Sequence, residues 1–121
     1  MDKLIGRLVA NVGVDRATAE TAVGIILQFL VQEGPADKVQ QLIGQLPGAA
    51  EVIANAPQDS SSGGMFGGGV MAAGTRMMAA GLSMGQVQAV TRETISYARE
   101  KIGEDAVGEI VGAIPGLGQF V

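Results

Sequence analysis

Two short segments hold the residue types that chemistry would need. In EDAVGE, Glu104 or Asp105 lies near Glu109 on a helix, which could make a weak site for a hard cation. The plainer reading of the same residues is acids stabilising a helix start, with a solvated face beyond. In GGGVMA, Gly67 to Ala72, the pattern G-x-G-x-x-A stands before a helix, as in dinucleotide phosphate cradles. What precedes it is DSSSGGMF rather than a strand, and no acidic residue stands about twenty positions on within a βαβ unit. No Gly-Lys-Ser/Thr follows either, so the phosphate loop of nucleotide hydrolases is also missing. Neither segment supports a catalytic, metal-binding or cofactor-binding assignment, and the expectation is a protein that is not an enzyme.

Composition narrows the chemistry further. With 0 His and 0 Cys, serine- and cysteine-nucleophile triads, thiolate and imidazole zinc sites and disulfides are all unavailable. Carboxylates, three lysines, one tyrosine and hydroxyls remain. The formal net charge is -4, from 8 basic and 12 acidic residues. Arg76, Arg92, Arg99 and Lys101 are interleaved with Glu93, Glu100, Glu104, Asp105 and Glu109, which leaves no basic patch to neutralise phosphates, and no nucleic-acid partner is expected. The opening MDKLIGRLVANVGVD lacks a long apolar stretch followed by a small-residue cleavage site, so a cytoplasmic location is expected.

The elements that must position these residues read as helices throughout. Lys3 to Val12 puts Leu4, Leu8 and Val12 on one stripe and stops at Gly13. Asp15 then stands where it can cap a second helix, Arg16 to Gln32. Its TAVGIILQFLVQ is apolar nearly all round, the mark of a helix buried on several sides. Those twelve residues reach only about 18 Å as a helix, short of a bilayer, and no integral membrane segment is expected. GPADKVQQLIGQLPG supplies a third helix with Pro35 in its first turn, Asp37 near its positive end and Pro47-Gly48 as its stop. AAEVIANA adds a short fourth. Beyond a Gly- and Ser-rich linker at 57–69, a Met- and Ala-rich helix over Val70 to Ala80, a cap at Ser83 with Gln86 three residues on, a long helix to about Ile102 and a last helix from Glu104 to Ile114 complete the chain.

The second half repeats the plan of the first. DKVQQLIGQLPG (Asp37 to Gly48) and DAVGEIVGAIPG (Asp105 to Gly116) stand 68 positions apart, and the offset holds without a gap from about Leu4 to Val52. Gly6/Gly74, Gly13/Gly81, Val39/Val107, Gly44/Gly112 and Pro47/Pro115 are among its identities. An internal duplication follows. The predicted fold is all-α: residues 1–121 form one compact domain of two similar repeats, 1–56 and 70–121, of three to four helices each, packed face to face about a pseudo-two-fold axis. In the repeated motif, glycine inside a helix costs close to ~1 kcal/mol against alanine, so Gly44 and Gly112 are expected where another backbone approaches closely. Pro47-Gly48 and Pro115-Gly116 close the same helices.

Val12 to Asp15, Asp37 to Gly48, Gly63 to Gly69 and AGLSMGQVQAV (Ala80 to Val90) together resemble the small VcgC/VcgE-type bacterial domains of unknown function. The resemblance covers most of the chain and implies an all-helical fold with no established activity. Five of the methionines, from Met65 to Met84, fall within twenty residues and suggest a pliable apolar surface, although filling the core of the second half would use them equally well. Hydrophobic types make up 47% of the chain, more than one domain core is expected to use, and the surplus points to a homodimer. Its contact is expected to draw on Phe29 of the second helix or on Met71, Met77 and Met78. The function expected is a helical interaction or scaffold module that self-associates, with a further protein partner open to it. The alternative is a binder of a small apolar ligand or membrane surface through the Met/Gly-rich segment.

Overall fold

In the computed structural model, which describes residues 2–55, 69–114 and 118, one helix has no solvent-facing side along its middle. This is α2 (Arg16–Glu33), in which every residue from 22 to 30 is buried. A charge-free, apolar stretch of that length leaves no polar stripe to face water, so other helices must surround it. They are α1 (Asp2–Asn11), α3 (Ala36–Gln45), α4 (Ala49–Asn55), α5 (Gly69–Ala79) and α6 (Met84–Ile102), all of which pack on α2. The last helix, α7 (Glu104–Ala113), packs on α6 and α3. The described residues form seven α-helices and no strand, around one contiguous apolar core.

Local chemistry accounts for most helix ends. α1 buries Leu4, Ile5 and Leu8 and stops in the turn at Gly13. Asp15 occupies the N-cap position of α2 in an extended conformation, but its side chain makes no capping hydrogen bond. Ser83 does cap α6: its Oγ accepts from the Gln86 amide at 3.2 Å, while the Ser83 amide donates to Gln86 Oε1 at 2.9 Å. Two orphan amides are satisfied at once. Gly103, with φ +94°, ends α6 and is at the same time the residue before α7, so no connecting loop separates them. Pro47 and Gly48, the latter at φ +87°, separate α3 from α4 as the sequence implied. Pro115, Gly116 and nearly all of the expected linker at 57–69 lie outside the described residues; Gly69 belongs to α5 instead.

Two expectations change in three dimensions. The apolar surplus is not on the surface: Val23, Ile26 and Leu30 on one side of α2 and Ala22, Ile25 and Phe29 on the other are all buried within one copy of the chain. The helix is enclosed from several directions, so both of its faces are core. The interior glycines also differ from expectation. A Cβ placed on Gly44 or Gly112 would meet nothing within 4 Å among the described residues, and both positions are exposed. Among the described residues no backbone crosses there, and nothing in the described structure explains glycine at either position. The close approach occurs at Gly34, between α2 and α3, where a Cβ would sit 2.8 Å from the Leu30 carbonyl oxygen and 3.1 Å from Val39 Cγ2.

Substitution at these positions should therefore give opposite signs. Gly112→Ala removes a helix-interior glycine without steric cost and should stabilise the fold by about 0.5–1 kcal/mol. Gly34→Ala forces α2 and α3 apart and should cost about 1–3 kcal/mol. Urea denaturation of both variants checks the pair, and destabilisation by Gly112→Ala would restore a close crossing at α7.

Candidate functional site

Among the described residues, polar side chains converge between helices at several places. The largest group joins α1 to α6. Glu93, Tyr97 and Glu100 stand at i, i+4 and i+7 on α6, a spacing that lines them along one face. Arg7 of α1 reaches across that face, with Nη2 donating to Glu93 at 3.1 Å and Nη1 to Glu100 at 2.9 Å. Asn11 Nδ2 donates to the second Glu93 oxygen at 3.4 Å. Beneath these groups the buried Tyr97 ring lies 5.6 Å from the Arg7 guanidinium carbon and 5.2 Å from Lys101 Nζ, within cation–π range. The Glu100 hydrogen bond, aided by the charge of both carboxylates, raises the Arg7 pKa further above its ordinary value against the opposing effect of burial. Arg7 is thus a fixed positive charge that clamps α1 to α6.

A second group lies deeper. Gln28, on the otherwise apolar α2, donates from Nε2 to the Ile53 carbonyl of α4 at 2.7 Å and accepts from Arg76 Nη2 of α5 at 2.5 Å. One buried amide thus ties three helices together. The third contact is the exposed ion pair of Lys38 on α3 with Glu109 on α7, at 3.2 Å. Glu109 is thereby engaged across a helix interface, while Glu104 and Asp105 are exposed in the first turn of α7. Among the described residues no three acidic groups gather to hold a metal ion. Of the phosphate-cradle pattern, Gly67 and Gly68 lie outside the described residues and Gly69 starts α5.

One core hydroxyl has no role in these groups. Thr94 of α6 is 2% exposed, and its Oγ1 has no hydrogen-bond partner among the described residues. Thr91, one turn earlier, returns its hydroxyl to the Val87 carbonyl at 2.9 Å.

The methionines divide. Met77 is 2% exposed and belongs to the core, as does Phe29 at 6%, so neither belongs to a contact surface. Met78 is 39% exposed in the last turn of α5, and Met84, the first residue of α6, is 50% exposed. The side chain of Met71 lies outside the described part. From Met77 to Thr91 the chain carries no formal charge, although 20 of its residues, 8 basic and 12 acidic, are charged. The corner between α5 and α6 is thus uncharged, with two thioethers, Ala79, Gly81, Ser83 and Gly85 exposed on it. Depletion of charge together with exposed methionine is the composition of interface cores. Among the described residues, no helix is long and apolar enough to cross a membrane.

No protein-family model matches the chain, and no curated protein and no solved structure matches it.

Two substitutions separate the polar groups by their energetics. Arg7→Met keeps the apolar stem but removes the clamp charge, and because Arg7 and Glu100 are partly solvated the loss should be only about 0.5–1 kcal/mol and should shrink in high salt. An equal loss at low and high salt, read from denaturant midpoints, would assign the contribution to packing on Tyr97 instead. Thr94→Val removes a buried hydroxyl that has nothing to bond and should raise stability by about 1 kcal/mol; a fall in melting temperature would mean that the hydroxyl is satisfied.

Proposed function

We propose that the chain is a duplicated helical unit that works as a non-catalytic interaction module, and that the partner it takes is a second copy of itself. The uncharged corner between α5 and α6 carries this reading. A closed two-fold contact sets a patch against its own copy, so any net charge on the patch repels itself. Met77 to Thr91 avoids that cost in a chain whose net charge is -4. The exposed Met78 and Met84 supply apolar, adaptable contact area there. The α2 face drops out of the contact, because its residues are consumed by the core.

The duplication rests on matched boundaries. Shifted by 68, the bounds of α1, α2 and α3 become 70–79, 84–101 and 104–113, against 69–79, 84–102 and 104–113 for α5, α6 and α7. Gly13 and Gly81 both have positive φ, at 83° and 112°. Leu46 and Ile114 end their helices alike, at φ -114° and -111°, each donating its amide to the carbonyl three residues back. α1 and α5 each pack on both α2 and α6, while α2 packs on α6 and α3 on α7, in support of a pseudo-two-fold relation, although among the described residues α3 also packs on α6 without a matching contact of like extent between α7 and α2. Kinship with the VcgC/VcgE-type domains belongs to the same proposal and rests on the helix punctuation that suggested it, as does a cytoplasmic setting.

The α5–α6 corner offers fewer residues than the roughly 20–30 a side of stable complexes, so the association should be weak and reversible. Sedimentation equilibrium should show a monomer at low micromolar concentration and a dimer growing in at high micromolar. The double variant Met78→Glu, Met84→Glu, with like charges facing across the contact, should remain monomeric. A wild-type monomer throughout that range would refute self-association. Co-sedimentation of wild type, but not of the variant, with neutral phospholipid vesicles would instead make the corner a membrane-surface contact.

A further inference from the structure

Among the methionines whose side chains are described, the structure assigns Met78 and Met84 as sites at which two-electron oxidants such as hydrogen peroxide modify this chain, with loss of the self-contact as the consequence; that consequence rests on the function proposed above. The chain has 0 Cys, 0 Trp and 0 His, so no thiol, indole or imidazole competes for the oxidant. Methionine sulfur is its most readily oxidised group. Which sulfur reacts is then a matter of access. Met77 and Met78 are adjacent in sequence, yet Met77 is 2% exposed and Met78 39%, while Met84 across the turn is 50% exposed.

The chemistry needs nothing beyond the peroxide. A sulfur lone pair attacks one peroxide oxygen, the S–O bond forms and the O–O bond breaks. The departing hydroxide takes the proton from the newly bound oxygen and leaves as water. Sulfur is oxidised by two electrons and the peroxide is reduced by two. The product is a polar sulfoxide in place of an apolar thioether. Neither residue contributes to the core cluster, so the fold does not depend on either sulfur remaining reduced. The surface does, because these are the large apolar side chains exposed on an otherwise small and uncharged corner. A weak self-contact leaves both exposed in the monomer that coexists with the dimer.

The test uses the full chain and dilute hydrogen peroxide. Peptide mapping by mass spectrometry should find Met78 and Met84 converted roughly tenfold or more faster than Met77, which reacts only from transiently opened molecules. Equal rates at Met77 and Met78 would overturn the site assignment. The melting temperature of the oxidised protein should stay close to that of the untreated protein, while its dimerisation, read by sedimentation equilibrium, should weaken several-fold; unchanged dimerisation would overturn the consequence. The variant Met78→Leu, Met84→Leu keeps an apolar corner of similar volume, so it should dimerise and be indifferent to peroxide. If peroxide still weakened its dimerisation, the sensitive residue would lie elsewhere and the assignment would fall. If the untreated protein does not dimerise at all, the proposed function fails, and the peptide map alone decides where the oxidant acts.

Discussion

The enclosure of α2 is the constraint on which the rest of the structure depends. From Ala22 to Leu30 the helix has no surface that water would stabilise, and each fully buried Leu, Ile, Val or Phe contributes roughly 1.5–3 kcal/mol when removed from solvent. Five helices are needed around it, and they come from both halves of the chain. Gln28 makes the enclosure specific. An apolar helix alone can rotate or slide among similar neighbours, whereas a buried amide that must donate to Ile53 and accept from Arg76 is satisfied in one register only.

Around this axis the two ends of α6 are secured differently. Its start is set locally by the Ser83–Gln86 capping box, which depends on four consecutive residues alone. Its middle and end are held by the Arg7 clamp, which depends on α1 being docked. Local chemistry thus fixes where the helix begins, and tertiary chemistry fixes what it lies against. The Lys38–Glu109 pair repeats the second device on a smaller scale between α3 and α7.

This division explains what could be read from the sequence. The capping box, the stop at Gly13, the acidic first turn of α7 and the all-round apolarity of α2 are functions of neighbouring residues and were legible. Gly44 and Gly112 are not legible in this way, because a glycine in a helix has the same local signature whether a neighbour crosses it or solvent does; among the described glycines for which neighbours are given, Gly34 is the one where a Cβ would be crowded. The burial of Phe29 and Met77 is not legible, because the period of one helix says which residues share a side, not how many sides are covered. Gln28 and Arg7 gave no signal as single residues, although the i, i+4, i+7 spacing of Glu93, Tyr97 and Glu100 marked a face waiting for a cation. At the candidate site, the methionine excess was legible, but which methionine faces outward was not, since Met77 and Met78 differ only in their direction around α5.

The junction at Gly103 has a mechanical meaning. One residue closes α6 and opens α7, and its positive φ fixes the bend between them. The two helices therefore meet at a single residue and pack on each other, with no loop between them. An inserted residue at this point would displace α7 relative to α6, disturbing the core positions of Val107 and Ile110 and the pairing of Glu109 with Lys38. Residue type matters there as well, since a side chain at 103 would have to adopt a φ of +94° that only glycine takes without strain.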